Sequence, residues 1–203
     1  MSAVIYFVRG TMEERMRVNR EKAAENRERI VETASRLFRE RGVDGVSIDA
    51  IMSGAGLTHG GFYGHFESKD DLVAEAVQRA LARAVEKQSE FTDLRDLVAD
   101  YLSERHLADR ADGCAIAALG SDLARQNDGA RRGLTAHVRA QLERFTRLLK
   151  NGPARQRRRR AIATLAGMVG ALTLARAVDD PALSREILAA ARDAIGRAKS
   201  AYN

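Results

Sequence analysis

The chain has 203 residues, 45% hydrophobic and 31% charged, with two prolines, no tryptophan and one cysteine. That balance excludes a disordered chain and supports a real core. The one cysteine, Cys114, excludes an internal disulfide and any multi-cysteine metal site and fits a reducing cytoplasm. The net charge of +6 invites a nucleic-acid partner. Up to Gln88, however, fourteen Lys/Arg match fourteen Asp/Glu, and the excess lies beyond, densest in the arginines at 157–160. Bulk charge therefore does not locate a DNA site.

Residues 1–21 read as a flexible N-terminal extension. Their apolar run at 3–8 lacks the basic start and small-residue cleavage site of a signal peptide, and Met12 and Met16 offer later start points. The first strong helix spans about 22–41. Ile30, Ala34, Leu37 and Phe38 share one face, Arg and Glu populate the other, and Gly42 suits a left-handed stop. Arg27 and Arg29 on its polar face are within reach of a phosphate role. Ser47 caps a short helix over about 48–53, and Gly54 and Gly56 permit a tight turn. Thr58 caps a third helix running to about 65. Ser68 caps a fourth running to about 87, with Asp70 and Asp71 in its first turn.

Further helices are expected near 93–106, 114–126, 129–150, 154–178 and 182–200, with Pro153 and Pro181 at first-turn positions. The stretch 161–178 is nearly all apolar but contains Thr164, Thr173 and Arg176, and reads as a buried interface helix rather than a membrane span. No alternating strand appears. The expected fold is all-α, about nine helices, divided into the extension (1–21), a helix-turn-helix domain (25–85, the motif at about 48–67) and a C-terminal helical domain (86–203).

Two short helices joined by a glycine-containing turn form a helix-turn-helix, whose second helix enters the major groove. The segment Gly56-Leu57-Thr58-His59-Gly60-Gly61-Phe62-Tyr63-Gly64-His65-Phe66-Glu67-Ser68-Lys69 resembles the DNA-reading segment of the TetR family of transcriptional regulators. Ala34, Leu37-Phe38, Gly42, Val46-Ser47-Ile48, Ile51 and Ala55-Gly56 match as well, so the resemblance covers about 60 residues. It implies DNA contact by Ser47, Thr58, His59, Gly60, Gly61, Tyr63, His65 and Lys69. Ser47, Tyr63 and Lys69 would meet phosphates; Thr58 and His59 are the candidates for reading bases. Phe66 belongs to the core. Gly61 and Gly64 depart from the family, where bulkier residues are common. Each glycine costs a helix about 1 kcal/mol relative to alanine, so packing of Leu57, Phe62 and Phe66 must hold this helix and DNA shape gains weight in recognition.

The resemblance further implies a C-terminal half that binds a small effector and dimerises. Phe91, Leu97, Tyr101, Cys114, Phe145 and Met168 are candidate pocket residues. Ala163, Ala166, Gly167, Gly170, Ala171 and Leu174 lie at helical spacing with small side chains, and Leu183, Ile187 and Leu188 of the last helix complete a candidate homodimer face. A two-fold dimer presents two recognition helices to a palindromic operator. The implied function is a cytoplasmic, ligand-responsive regulator, a repressor, released from DNA by the effector and needing no cofactor or metal. An activator is the alternative direction. A thiol sensor is another, because Cys114 follows Gly113 at a helix start with His106 and Arg110 nearby in sequence. An enzyme is disfavoured. His59-Gly60-Gly61 and Gly54-Ala55-Gly56 are weak loop signals, no G-x-S-x-G elbow occurs, and the histidines at 59, 65, 106 and 137 make no H-E-x-x-H.

Overall fold

A computed structural model describes residues 12–126 and 128–197. Their helices run in the order α1 (Met12–Arg41), α2 (Ile48–Gly54), a 3-10 helix (His59–Gly64), α3 (Lys69–Ser89), α4 (Leu94–Tyr101), α5 (Glu104–Ala108), α6 (Ala115–Arg125), α7 (Asp128–Leu148), α8 (Ala154–Ala177) and α9 (Pro181–Arg197). No strand occurs among the described residues, and the fold is all-α.

α1 begins ten residues earlier than the apolar pattern indicates. Its first turns are exposed and bury nothing, so periodicity is silent there. Good helix formers carry them, with Glu13 and Glu14 at the positive end of the helix and an Arg17–Glu21 pair at i,i+4. The apolar run at 3–8 lies outside the described residues. Farther along α1, Ile30, Ala34 and Phe38 are fully buried and Leu37 is partly so. Gly42, at φ +75°, donates its N–H to the Phe38 carbonyl and ends the helix.

The expected helix at 93–106 is two helices. Leu102 is buried with its backbone turned out of the helical region, and the Ser103 hydroxyl accepts the His106 N–H, capping α5 afresh. The third helix is 3-10 rather than α, and Thr58 stands at its N-cap position without a side-chain cap bond. Three glycines in six residues weaken an α-helix enough for the tighter form to serve.

Two hydrophobic clusters organise the chain. The first gathers α1, α2, the 3-10 helix and α3, and it also takes in Ala115, Leu119 and Leu123 of α6 and Ala130 of α7. The second joins Leu97, Phe145, Met168, Leu172 and Leu188 from α4, α7, α8 and α9. By length and composition α8 is the one helix among the described residues able to cross a membrane; here it packs against α6, α7 and α9.

Glycine matters to the fold at the helix-turn-helix turn. Gly56 has φ +68°, and a Cβ there would stand 3.6 Å from Arg29 Nη2, so only the backbone objects to a side chain. Gly56→Ala is expected to lower stability by about 1 kcal/mol, read as a lower urea midpoint. Gly60 faces open space without a positive φ, so Gly60→Ala should leave the midpoint unchanged or raise it slightly. Equal losses from both would show that the turn geometry is not what Gly56 supplies.

Candidate functional site

The first site is the surface around the 3-10 helix. Ser47 Oγ accepts the Ala50 N–H at 3.1 Å and starts α2; Ser68 Oγ does the same for Asp71 and starts α3. Between them the turn is held from behind. Arg29 donates to the Ala55 carbonyl from Nη2 and Nε, at 2.5 and 3.2 Å. Phe62 and Phe66 stack at 5.6 Å in the core, and the Arg27 guanidinium lies 4.2 Å above the Phe66 ring while bonding Glu75 at 2.5 and 2.6 Å. The Glu75 bond, opposed by burial, raises the Arg27 pKa. Arg27 and Arg29, read from sequence as possible phosphate contacts, are thus engaged inside the fold.

What remains faces outward. Thr58, His59, Gly60, Tyr63 and Gly64 are exposed, and Gly61 and His65 are half-buried. Tyr63 is 67% exposed and meets the edge of Phe62. His59 Nδ1 is 2.5 Å from an Asp49 carboxylate oxygen, a partner the sequence did not suggest. Lys69 also has an internal partner: its Nζ donates to the Val43 carbonyl at 2.8 Å and lies 6.0 Å from the Phe38 ring. It therefore joins α3 to the α1–α2 loop. Without Cβ atoms at positions 60 and 64, the backbone between the exposed Thr58, His59 and Tyr63 side chains is uncovered.

The second site is a cavity of about 460 Å³ between α1, α3 and the C-terminal helices. Phe91, Leu97, Tyr101, Cys114, Phe145 and Met168 all line it. Its polar wall was not visible from sequence spacing. His106 bridges two segments: Nδ1 lies 2.7 Å from the Tyr101 carbonyl, and Nε2 accepts the Cys114 N–H at 3.0 Å. These two bonds require a neutral ring protonated on Nδ1, and burial lowers its pKa accordingly. Arg176 of α8 reaches under the same loop to the carbonyls of His106, Leu107 and Asp109. Burial lowers its pKa, opposed by Cys114 and Tyr101. The cation beside Cys114 is thus Arg176, while Arg110 turns to the Arg176 carbonyl.

Behind the cavity residues Gln88 and Phe91, Arg144 donates to both of their carbonyls and approaches Gln88 Oε1 at 3.5 Å. Gln141 Nε2 donates to that same oxygen. Because a guanidinium only donates, the Gln88 amide is fixed in this sense, and Gln141 Oε1 is left without a partner. Arg39 Nε is likewise buried and unpartnered, while the buried Tyr101 hydroxyl sits beside the Cys114 thiol. Burial raises the Tyr101 pKa, so this phenol is a neutral donor.

The third feature is a stripe on α8. Ala163 and Ala166 are exposed, Leu174 is 58% exposed, and Gly170 faces open space. Ile162 and, on α9, Leu183 are exposed beside them. Ala171 and Leu188 differ from the expectation: both are buried in the chain's own core. Gly167 faces Ile195 of α9, and Ile187 packs on the second cluster. Sequence spacing alone does not separate these inner positions from the outer ones, because α8 is apolar nearly all round.

Residues 30–76 match the family described as bacterial regulatory proteins, tetR family. Among curated proteins, an HTH-type transcriptional regulator of Staphylococcus aureus (strain bovine RF122) is 38% identical over 85 residues, 42% of this chain and 43% of that protein. Another, from strain USA300, is 44% identical over 62 residues, 30% of this chain and 34% of that protein. The chain spans less than half the length of these curated relatives. Solved structures extend the likeness in fold. A TetR transcriptional regulator from Chloroflexus aurantiacus superposes with a TM-score of 0.71 at 27% identity, covering 87% of this chain and 96% of that one. The reduced form of Escherichia coli NemR does so with a TM-score of 0.70 at 19% identity, covering 85% and 96%. Residues 30–76 are thus a tetR-family domain, and most of the described chain shares the fold of TetR transcriptional regulators.

Proposed function

We propose that the protein is a ligand-responsive repressor that binds a palindromic operator as a homodimer and releases it when a small effector fills the cavity. The observation that carries the DNA reading is the division of the 3-10 segment. Phe62 and Phe66 are sunk in the core, whereas Thr58, His59 and Tyr63 stand outward on a surface stripped of Cβ atoms at positions 60 and 64. Such a surface lets backbone amides and a phenol approach phosphates closely. Ser47, Lys69, Gly61 and His65 complete the proposed contact set, with His59 facing bases. The relatives' names, HTH-type transcriptional regulators, support the same reading; a cytoplasmic location and a role without enzymatic activity belong to the proposal.

Tyr63→Phe keeps the ring on Phe62 and removes only the exposed hydroxyl. It should weaken binding about five- to tenfold on all sequences, measured on an operator selected from random DNA. His59→Ala should instead change base preference. Wild-type affinity should fall steeply with salt. Salt-insensitive binding, or no effect from either substitution, would remove this contact assignment.

Dimerisation is assigned to the outer stripe: Ala163, Ala166, Gly170 and Leu174, with Leu183. Small side chains let a partner helix approach closely, and the exposed Leu174 and Leu183 add apolar area. Leu174→Arg changes an exposed residue and should leave the fold intact. Sedimentation should then show a monomer, and operator affinity should fall at least a hundredfold as the two half-sites lose their linkage. A dimer of unchanged stability would place the interface elsewhere.

A thiol sensor is a second reading favoured by one observation: Cys114 opens α6 in the cavity wall with Arg176 and Tyr101 as polar neighbours. In this reading the sulfur adds to an activated alkene, forming an S–C bond as the thiol proton passes to the adjacent carbon. Cys114→Ser should keep operator affinity and lose release by N-ethylmaleimide. Release that persists in the variant refutes the reading.

A further inference from the structure

One end of the cavity gathers cations from the DNA-proximal helices. Arg36 and Arg39 of α1 and Arg83 and Lys87 of α3 converge on Asp112, in the loop before α6. Arg39 Nη2 lies 3.4 Å, Arg83 Nη1 3.9 Å and Arg36 Nε 4.0 Å from its carboxylate, and Lys87 Nζ donates to its carbonyl at 3.3 Å. Glu32 also takes Arg83, at 2.5 Å. Asp109 faces Arg39 from the same loop. Three arginines thus share the carboxylates of Asp112, Glu32 and Asp109, with Lys87 on the Asp112 carbonyl; Arg39, Arg83 and Lys87 line the cavity, as does Glu86.

Arg39 is served worst. Its side chain is 2% exposed, its nearest carboxylate is farther than a normal charge-assisted bond, and Nε has no partner. A guanidinium buried on such terms keeps much of its desolvation cost uncompensated. Deeper in, the wall turns apolar at Phe91, Leu97, Phe145 and Met168. Two polar atoms in the wall lack a partner: Arg39 Nε, a donor, and Gln141 Oε1, an acceptor.

We infer that the effector is an amphipathic carboxylate, its anionic head on Arg39 and Arg83 and its apolar body filling the inner cavity. The inference rests on the proposed role of this cavity as the effector site. The same geometry supplies the means of release. A ligand carboxylate competes with Asp112 for the arginines, and Asp112 is what ties the cavity loop to α1 and α3. Loosening that tie frees the loop to shift against the helices that carry the DNA-contact face.

The test uses three probes with one body and different heads: 2-naphthoate, 2-naphthol and naphthalene. Calorimetry on the full chain at low salt is expected to show naphthoate binding at least tenfold tighter than naphthol, with the gap narrowing as salt rises. Asp112→Asn releases the arginines and should tighten naphthoate several-fold. Arg83→Gln should weaken it about tenfold, and the exposed Lys87→Gln should act in the same direction by less. Naphthalene affinity should be constant across the variants and reports that each is folded. Naphthol matching naphthoate, failure of all three to bind, or a folded Asp112→Asn that does not tighten naphthoate overturns the inference. Operator affinity is measured separately. If naphthoate binds by charge but leaves DNA affinity unchanged, the ligand class stands and the effector reading falls.

Discussion

Leu119 and Leu123 of α6 are withdrawn into the core of the first three helices, at 1% and 0% exposure, while Cys114 at the start of the same helix lines the cavity. Burying two leucines contributes several kcal/mol, at roughly 1.5–3 kcal/mol each. That fixes where the rest of α6 lies. Asp122, one residue before Leu123, accepts the Val43 N–H at 3.2 Å and so holds the loop between α1 and α2. Thr173 of α8 bonds the Ala117 carbonyl from the other side. One short helix is therefore wall to the cavity, buttress to the N-terminal core and neighbour to the proposed dimer helix. A displacement of its N-terminal end cannot be absorbed without disturbing packing around α1 and α3, because close-packed interiors transmit strain rather than damp it.

The outward surface of the 3-10 helix follows from the same division of labour. Its stability comes from below, through Phe62, Phe66, the Arg27 guanidinium on the Phe66 ring and the Arg29 clamp on Ala55. Its upper surface is thereby relieved of any structural duty except the His59–Asp49 pair. This pair bears on recognition. A carboxylate 2.5 Å from a proposed base-reading imidazole disfavours close approach of that edge to phosphate. His59 in this setting donates from one nitrogen to Asp49 and presents the other to a partner, which makes it an oriented group rather than a free one.

How much of this was legible in the sequence depended on whether the information was local. The buried face of α1 was readable from Ile30, Ala34 and Phe38, and the starts of α2 and α3 from Ser47 and Ser68, because periodicity and capping act within a few residues. The glycine-weakened helix was legible as weak but not as 3-10, since that choice depends on packing against Met52 and Phe66 as well as on propensity. The cavity's apolar residues were legible as a set, yet the long-range arginine contacts that brace its surroundings were not. Arg176 reaches the His106–Asp109 carbonyls across about 70 positions of sequence, and Arg144 reaches Gln88 across 56. On α8, small and apolar residues recur all round, so which of Ala163, Ala171 and Gly167 faced outward was decided only by where α9 lay.

The long-range arginines share a physical logic that the proposed switch exploits. Arg176 spends its donors on three backbone carbonyls and Arg144 on two carbonyls and an amide oxygen; these bonds compensate part of the burial that lowers the pKa of each. Arg39 has poorer compensation. It is the most buried of the three, and its partner Asp112 is shared with three other cations. Truncating it removes packing as well as charge, whereas a second carboxylate can replace part of the long Asp112 contact with a shorter one. The asymmetry gives a direction to any coupling between cavity and DNA face. An added anion relieves a cost already present in the empty protein, and the relief is available only if Asp112 yields part of its hold. The coupling free energy is then bounded by how poorly Arg39 is paired at the outset, which is why a well-formed Arg39–Asp112 bond at normal length would leave such a switch with little to work on.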